Sequence, residues 1–267
     1  MSDLTKLSIS QIKYYKSLQQ KKYRNQYKSF LIEGEKMVKE IAFDANSNLK
    51  LKRILAENDF LKENSKLLSR HDCISVSGRD LEKISSLSTS SRVIMELEIP
   101  EYDENIDELS EELNIYFESI RDPGNLGTII RTADWFGLDK VICSPDSVDA
   151  FNPKVIQSSM GSIARVKVLY VAAAEILKMA SKDKQFENIA TLLEGVNLDS
   201  FTFPEKGIVY FGNESKGLSS IIQKDCQKAI TIPRSQKQKG PESLNLSISA
   251  GIILREMSRQ VSIRSES

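Results

Sequence analysis

The chain has 267 residues, enough for two domains with cores of their own or for one large α/β domain. Its 37 basic residues balance 37 acidic ones, which excludes a strongly basic protein and leaves any nucleic-acid contact to a local patch. Three separated cysteines (Cys73, Cys143, Cys226), no CxxC pair and a single histidine, His71, argue against a metal site or a disulfide framework and fit a reducing cytoplasm.

The start, MSDLTKLSIS, lacks the positive and apolar regions of a signal peptide, and no apolar run is long enough to span a bilayer, so no membrane partner is expected. Helical periodicity from Ile12 to Leu18 overlaps a basic leader, KYYKSLQQKKYRNQYK, at residues 13–28. Six cations stand there without an acid, interleaved with Tyr14, Tyr15, Tyr23 and Tyr27. Cations meet phosphates and rings stack on unpaired bases, so Lys21, Lys22, Arg24 and Lys28 are candidate RNA-binding residues. A solvated helix whose tyrosines pack on the domain fits the composition equally well.

Segments of period 2 and period 3.6 then alternate. A strand from Ser29 to Glu33 precedes a helix from Glu35 to Ala42, and a strand from Lys52 to Ala56 precedes a helix from Asp59 to Leu68. A strand from Cys73 to Val76, a short helix around Leu81 and a strand from Val93 to Ile99 complete a small α/β domain over residues 1–100. After Pro100 comes EYDENIDELSEE, residues 101–112, whose self-repelling carboxylates suggest a solvated linker, with an acidic surface helix as the alternative.

Residues 113–267 alternate more regularly. Strands are expected from Asn114 to Glu118, Lys140 to Cys143, Val166 to Val171, Asn188 to Leu192, Gly207 to Phe211 and Ala229 to Ile232. Helices are expected from Leu126 to Phe136, Pro153 to Met160, Ala173 to Ser181, Leu218 to Cys226 and Leu244 to Arg259. That pattern implies a parallel sheet covered on both faces.

Three polar loops lie at the carboxyl ends of these strands, the edge where α/β proteins bind ligands. In ESIRDPGNLGTIIRTADWFG, residues 118–137, Asn125 is placed to cap a helix from whose side Arg131 projects, either toward a substrate or simply into solvent. YFGNESKGLSS, residues 210–220, has the glycine spacing of a P-loop, but the positions for the lysine and the Ser/Thr are Leu218 and Ser219, and without the lysine an anion has no charged partner, so it is no phosphate cradle. IPRSQKQKGPESLNLS, residues 232–247, is a basic loop in which Ser243 can serve as a helix N-cap.

The runs NLGTIIRTADWFG, FGNESKG and IP…SLNLSISAGIILRE resemble, in order and spacing, the three signature motifs of the SpoU (TrmH-type) RNA ribose 2′-O-methyltransferases of the SPOUT superfamily. The N-terminal run KKYRNQYKSFLIEGEKMVKE is similar to the small substrate-binding domain of these enzymes, although Ser90-Ser91-Arg92 stands where many relatives have Pro-Gln-Gly. The resemblance implies a C-terminal trefoil-knotted, parallel-sheet methyltransferase domain behind a smaller N-terminal α/β substrate-binding domain, working as a homodimer. It implies S-adenosylmethionine as cofactor and the ribose 2′-hydroxyl of ribosomal or transfer RNA as substrate.

Carried over by motif, the adenosyl moiety lies against backbone at Thr191, Leu192, Gly212, Ile232 and Leu244, with Gly212 letting the main chain approach it. Arg131 serves the ribose hydroxyl as base or as positioner, and Asn125 orients Arg131 or the ribose. Glu214 steadies its loop or orders the site, and Ser243 and Asn245 hold the loop or the hydroxyl. A catalytically inactive RNA-binding module of the same fold is the rival; it would lack one of these five polar residues, and all five are present.

Overall fold

The computed structural model describes residues 6–43, 47, 49–102, 105–235 and 242–265. They form two compact units, divided between Glu101 and Tyr102, with Asp149–Arg165 grouping with the first.

The first unit holds a four-stranded sheet of β1 (Ser29–Glu33), β2 (Leu51–Ala56), β3 (Cys73–Ser75) and β4 (Val93–Glu98), in the order β1-β4-β2-β3. β4 runs antiparallel to both β1 and β2, and β2 runs parallel to β3. Its helices are α1 (Ile9–Ser17), α2 (Lys21–Tyr27), α3 (Glu35–Phe43), α4 (Asn58–Glu63), α5 (Ser65–Leu68) and α6 (Gly78–Ile84). Tyr15 and Leu18, from α1 and its C-cap, join Leu81 and Ile84 of α6 over Leu55 and Ile94 of the sheet. α1 starts earlier than its apolar periodicity because Ser8 and Gln11 form a capping box. The helix expected from Asp59 to Leu68 breaks at Asn64, whose side chain donates to the Phe60 carbonyl at 2.7 Å in competition with the helix ladder.

The second unit holds β5 (Leu113–Phe117), β6 (Lys140–Cys143), β7 (Lys167–Tyr170), β8 (Glu187–Asn197), β9 (Gly207–Phe211) and β10 (Lys228–Thr231). The sheet order is β10-β8-β9-β5-β6-β7, and every pairing is parallel. The adjacent central strands β5 and β9 are buried almost throughout, which is why they read as unbroken apolar runs. Along the chain come α7 (Pro123–Trp135), α8 (Pro153–Ser159), α9 (Ala173–Ala180), α10 (Ser220–Asp225) and α11 (Leu246–Ser265), of which α8 lies in the segment that groups with the first unit. The acidic stretch expected to be a solvated linker contains a 3-10 helix, Ile106–Glu111, anchored by buried Leu109; Asn114 donates to the Leu109 carbonyl at 2.9 Å, and Lys140 pairs with Glu112. Asp103 and Glu104 of that stretch lie outside the described residues.

Arg24 explains how Asp149–Arg165 joins the first unit. Its side chain is 2% exposed and donates to Asp149 Oδ2 from Nε at 3.1 Å and from Nη2 at 2.5 Å. Nη1 donates to the Leu18 and Gln19 carbonyls at the end of α1, at 2.9 and 2.8 Å. Phe30 packs on Phe151, and Arg165 pairs with Glu40 at 3.0 Å. Arg24 is therefore structural, and its expected RNA contact is corrected: its guanidinium is buried, and Nε, Nη1 and Nη2 are all engaged with Asp149 and the Leu18 and Gln19 carbonyls. Among the described residues no helix is long and apolar enough to cross a membrane.

Candidate active site

The turn after β5 is capped differently from expectation. Asp122 is the N-cap of α7, accepting the Asn125 amide at 2.9 Å, and Pro123 occupies the first helical position. Asn125 is thus relieved of capping and its side chain points elsewhere. Just upstream, Ser119 adopts φ +55°, unusual for a non-glycine residue, and is held there from three sides. Its amide donates to Ser144 Oγ at 2.7 Å, its hydroxyl to Asp146 at 2.7 Å, and its carbonyl accepts from the Asn213 amide group at 2.8 Å.

Asn213 belongs to the loop after β9. Its Oδ1 accepts the amides of Ser215 and Lys216, and it bridges to Gly217, so the loop closes on itself. A Cβ on Gly212 would stand 2.3 Å from both the Gly217 carbonyl carbon and the Leu218 nitrogen. Glycine is required there by the loop's own backbone, a reason the sequence did not suggest. Glu118, at the end of β5, accepts the Ser219 amide at 2.7 Å and ties the far side of this loop to the first turn.

Residues 236–241 of the basic third loop lie outside the described residues. Where the chain resumes, Asn245 rather than Ser243 caps α11: its Oδ1 accepts the Ser247 amide at 2.9 Å and the Ile248 amide at 3.3 Å. Ser243 is exposed.

The three loops meet through side chains. Asn125 donates from Nδ2 to Glu214 Oε1 at 3.0 Å, and its Oδ1 accepts from Asn245 Nδ2 at 3.0 Å. One asparagine thus joins residues 89 positions ahead and 120 positions ahead. Arg131 sits six residues further into α7, about 9 Å along the axis, on an exposed face. Among the described residues it makes no hydrogen bond or ion pair, so nothing holds it away from a substrate; Asn125 bonds to Glu214 and Asn245 and not to Arg131.

The positions carried over for a cofactor lie at the same carboxyl ends. β8 pairs with β10 through Ala190–Ala229 and then through Val196–Ile230, so residues 191–195 leave that ladder. Thr191 Oγ1 donates to the Tyr210 carbonyl at 2.9 Å and fixes this excursion beside β9. Leu192, Gly212 and Ile232 are half-buried, and Leu244 is exposed. Backbone released from a ladder, walled by half-buried aliphatic side chains, suits a flat heteroaromatic group that needs a few polar contacts. In the first unit, Lys21, Lys22 and Lys28 are exposed.

Sequence reading missed Asp122, Ser119 and Asn213. Pro123 was the available signal for the Asp122 cap, and Asn213 stands four residues before a glycine, an Asx-turn pattern.

Residues 112–255 match the SpoU rRNA Methylase family, and residues 10–94 match the MRM3-like substrate binding domain. The chain is 28% identical over 260 residues to the 23S rRNA (guanosine(2553)-2′-O)-methyltransferase of Bacillus subtilis, covering 95% of this chain and 98% of that protein. A solved structure of a TrmH-family protein from Porphyromonas gingivalis superposes with a TM-score of 0.82 at 30% identity, covering 95% of this chain and 99% of the other. An rRNA methyltransferase from Sinorhizobium meliloti, solved with AdoMet bound, shares the fold with a TM-score of 0.80 at 24% identity, covering 97% and 98% of the two chains.

Proposed function

The chain belongs to the SpoU rRNA methylase family, and from that premise we propose that it transfers a methyl group from S-adenosylmethionine to a ribose 2′-hydroxyl of ribosomal or transfer RNA. The observation that carries this reading is the Asn125–Glu214–Asn245 network, in which three separate loops at one sheet edge are fixed in a single arrangement. An inactive RNA-binding module has no use for that arrangement.

S-adenosylmethionine supplies a methyl group on a sulfonium leaving group. Thr191 and Leu192, on the backbone freed where β8 leaves its ladder, together with Gly212, Ile232 and Leu244 from the loops after β9 and β10, are the residues that would hold its adenosyl part. Asn125, Glu214 and Asn245 keep the three loops at fixed spacing, so the reacting groups meet without reorganisation. Ser243 lies exposed at the mouth of the third loop, within the stretch that contacts the incoming ribose. A guanidinium keeps its charge and only donates, so Arg131 acts as positioner: it holds the ribose hydroxyl and stabilises the oxyanion that develops while the hydroxyl proton passes to solvent water and the methyl group passes from sulfur to oxygen.

Lys21, Lys22 and Lys28, exposed in the first unit, contact RNA phosphates. The enzyme works in the cytoplasm as a homodimer whose methyltransferase domain is trefoil-knotted. Dimerisation is supported by exposed apolar side chains on two helices that pack together: Trp135 of α7, 83% exposed, and Ile248 and Ile252 of α11, 54% and 38% exposed. The test is Arg131→Ala. It should bind S-adenosylmethionine with unchanged affinity by calorimetry and lose methyl transfer by more than about a hundredfold; full activity would remove Arg131 from the mechanism.

A further inference from the structure

On the helix-covered face of the first sheet, apolar Leu55 and Ile94 lie beneath α1 and α6. Two residues away on each strand the row changes character: Arg53 of β2 and Glu96 of β4 are register partners on that same face. Over them opens a cavity of about 520 Å³ whose lining includes Gln11, Tyr14, Lys52, Arg53 and Glu96. That volume falls in the range of small-ligand pockets, about 300–1,000 Å³.

Glu96 is 5% exposed, and a carboxylate so placed costs stability unless it is partnered. Its Oε1 accepts the Tyr14 hydroxyl at 2.5 Å, and among the described residues its Oε2 accepts no hydrogen bond. Tyr14 is itself pinned edge-on, with ring centroids 5.1 Å from Tyr15 and 4.9 Å from Tyr27. At the rim, Lys52 lies 2.6 Å from Ser29 Oγ, and Arg53 is oriented by Asp72 at 2.7 Å. An acceptor at the floor, an aromatic wall and two cations at the mouth match the three parts of a nucleotide.

We propose that this cavity takes one unpaired nucleotide of the RNA, with its base edge on Glu96 and Tyr14 and its phosphate at Lys52 and Arg53. The proposal rests on the RNA-methyltransferase reading for the identity of its ligand. An ionised carboxylate only accepts, so Glu96 favours a base that offers an amino group, such as cytosine. Uracil presents two carbonyl oxygens around a single N–H, and these would face the carboxylate. None of these residues lies among the three loops of the candidate active site, so the cavity serves RNA choice and not chemistry.

The test uses the full chain, with fluorescence anisotropy of labelled oligocytidylate and oligouridylate. The wild type should prefer oligocytidylate by roughly tenfold, the scale of a hydrogen bond to a charged group. Glu96→Gln should erase that preference, and Lys52→Ala, at a half-exposed side chain that tolerates truncation, should weaken both ligands. Both variants should bind S-adenosylmethionine as the wild type does. Equal binding of the two oligonucleotides by the wild type, binding of neither, or wild-type behaviour of Lys52→Ala would overturn the site. Absence of methyl transfer to cellular RNA by the wild type would instead sink the enzymatic reading, whatever the oligonucleotides show.

Discussion

Arg24 is a sharp test because sequence and structure give it opposite jobs. In Arg24→Ala the Leu18 and Gln19 carbonyls lose their donor and Asp149 loses its ion-pair partner. Breaking a buried pair costs about 3–5 kcal/mol, and Asp149, 16% exposed, recovers some hydration, so a loss of about 3 kcal/mol is expected. With a urea dependence of about 1–3 kcal/mol per molar, the midpoint should fall by more than about 1 M. Arg24→Lys keeps a charge but not the fork that reaches two carbonyls and a carboxylate together, and should recover less than half of the loss. The sole tryptophan, Trp135, reports on the second unit, so unfolding of the first is best followed by near-ultraviolet circular dichroism of its tyrosine cluster. A variant that unfolds at the wild-type urea concentration while losing RNA affinity would refute the structural role and restore the reading made from the sequence.

Asn125→Ala should lower kcat by about ten- to a hundredfold with secondary structure intact, because its side-chain links to Glu214 and Asn245 both vanish while the Asn213–Ser119 and Glu118–Ser219 contacts remain; isosteric Asn125→Asp sets a second carboxylate against Glu214 and should do no better. Gly212→Ala forces a Cβ into the backbone at Gly217 and Leu218, and calorimetry should show S-adenosylmethionine affinity reduced by at least about tenfold; unchanged affinity would show that the loop yields freely. Trp135→Glu should convert a dimer to a monomer in light scattering, and a wild type that is already monomeric would contradict the homodimer.

The parallel sheet was legible because its central strands are buried on both sides: LNIYF and GIVYF can hardly be anything else. α2 was not, since KKYRNQY shows no apolar stripe and its one buried residue is an arginine whose partner, Asp149, lies 125 positions away. The helix caps failed for a local reason. Asp122 and Asn125, like Ser243 and Asn245, are rival capping residues a few positions apart, and hydrogen-bond geometry chooses between them. The length of β8 was hidden by its exposed second half, which includes Glu194 and Gly195. Composition and spacing brought the three polar loops to one edge. That they join through Asn125 needed coordinates, because each link spans most of a domain in sequence.

Methyl transfer to a ribose hydroxyl leaves its mark on the product. RNA incubated with the protein and S-adenosylmethionine labelled in its methyl group should be digested and its nucleosides resolved by mass spectrometry. Label should appear on the ribose of one nucleotide as a 2′-O-methyl group, dependent on Arg131. Label on a base, or none with every candidate RNA, would contradict ribose methyl transfer.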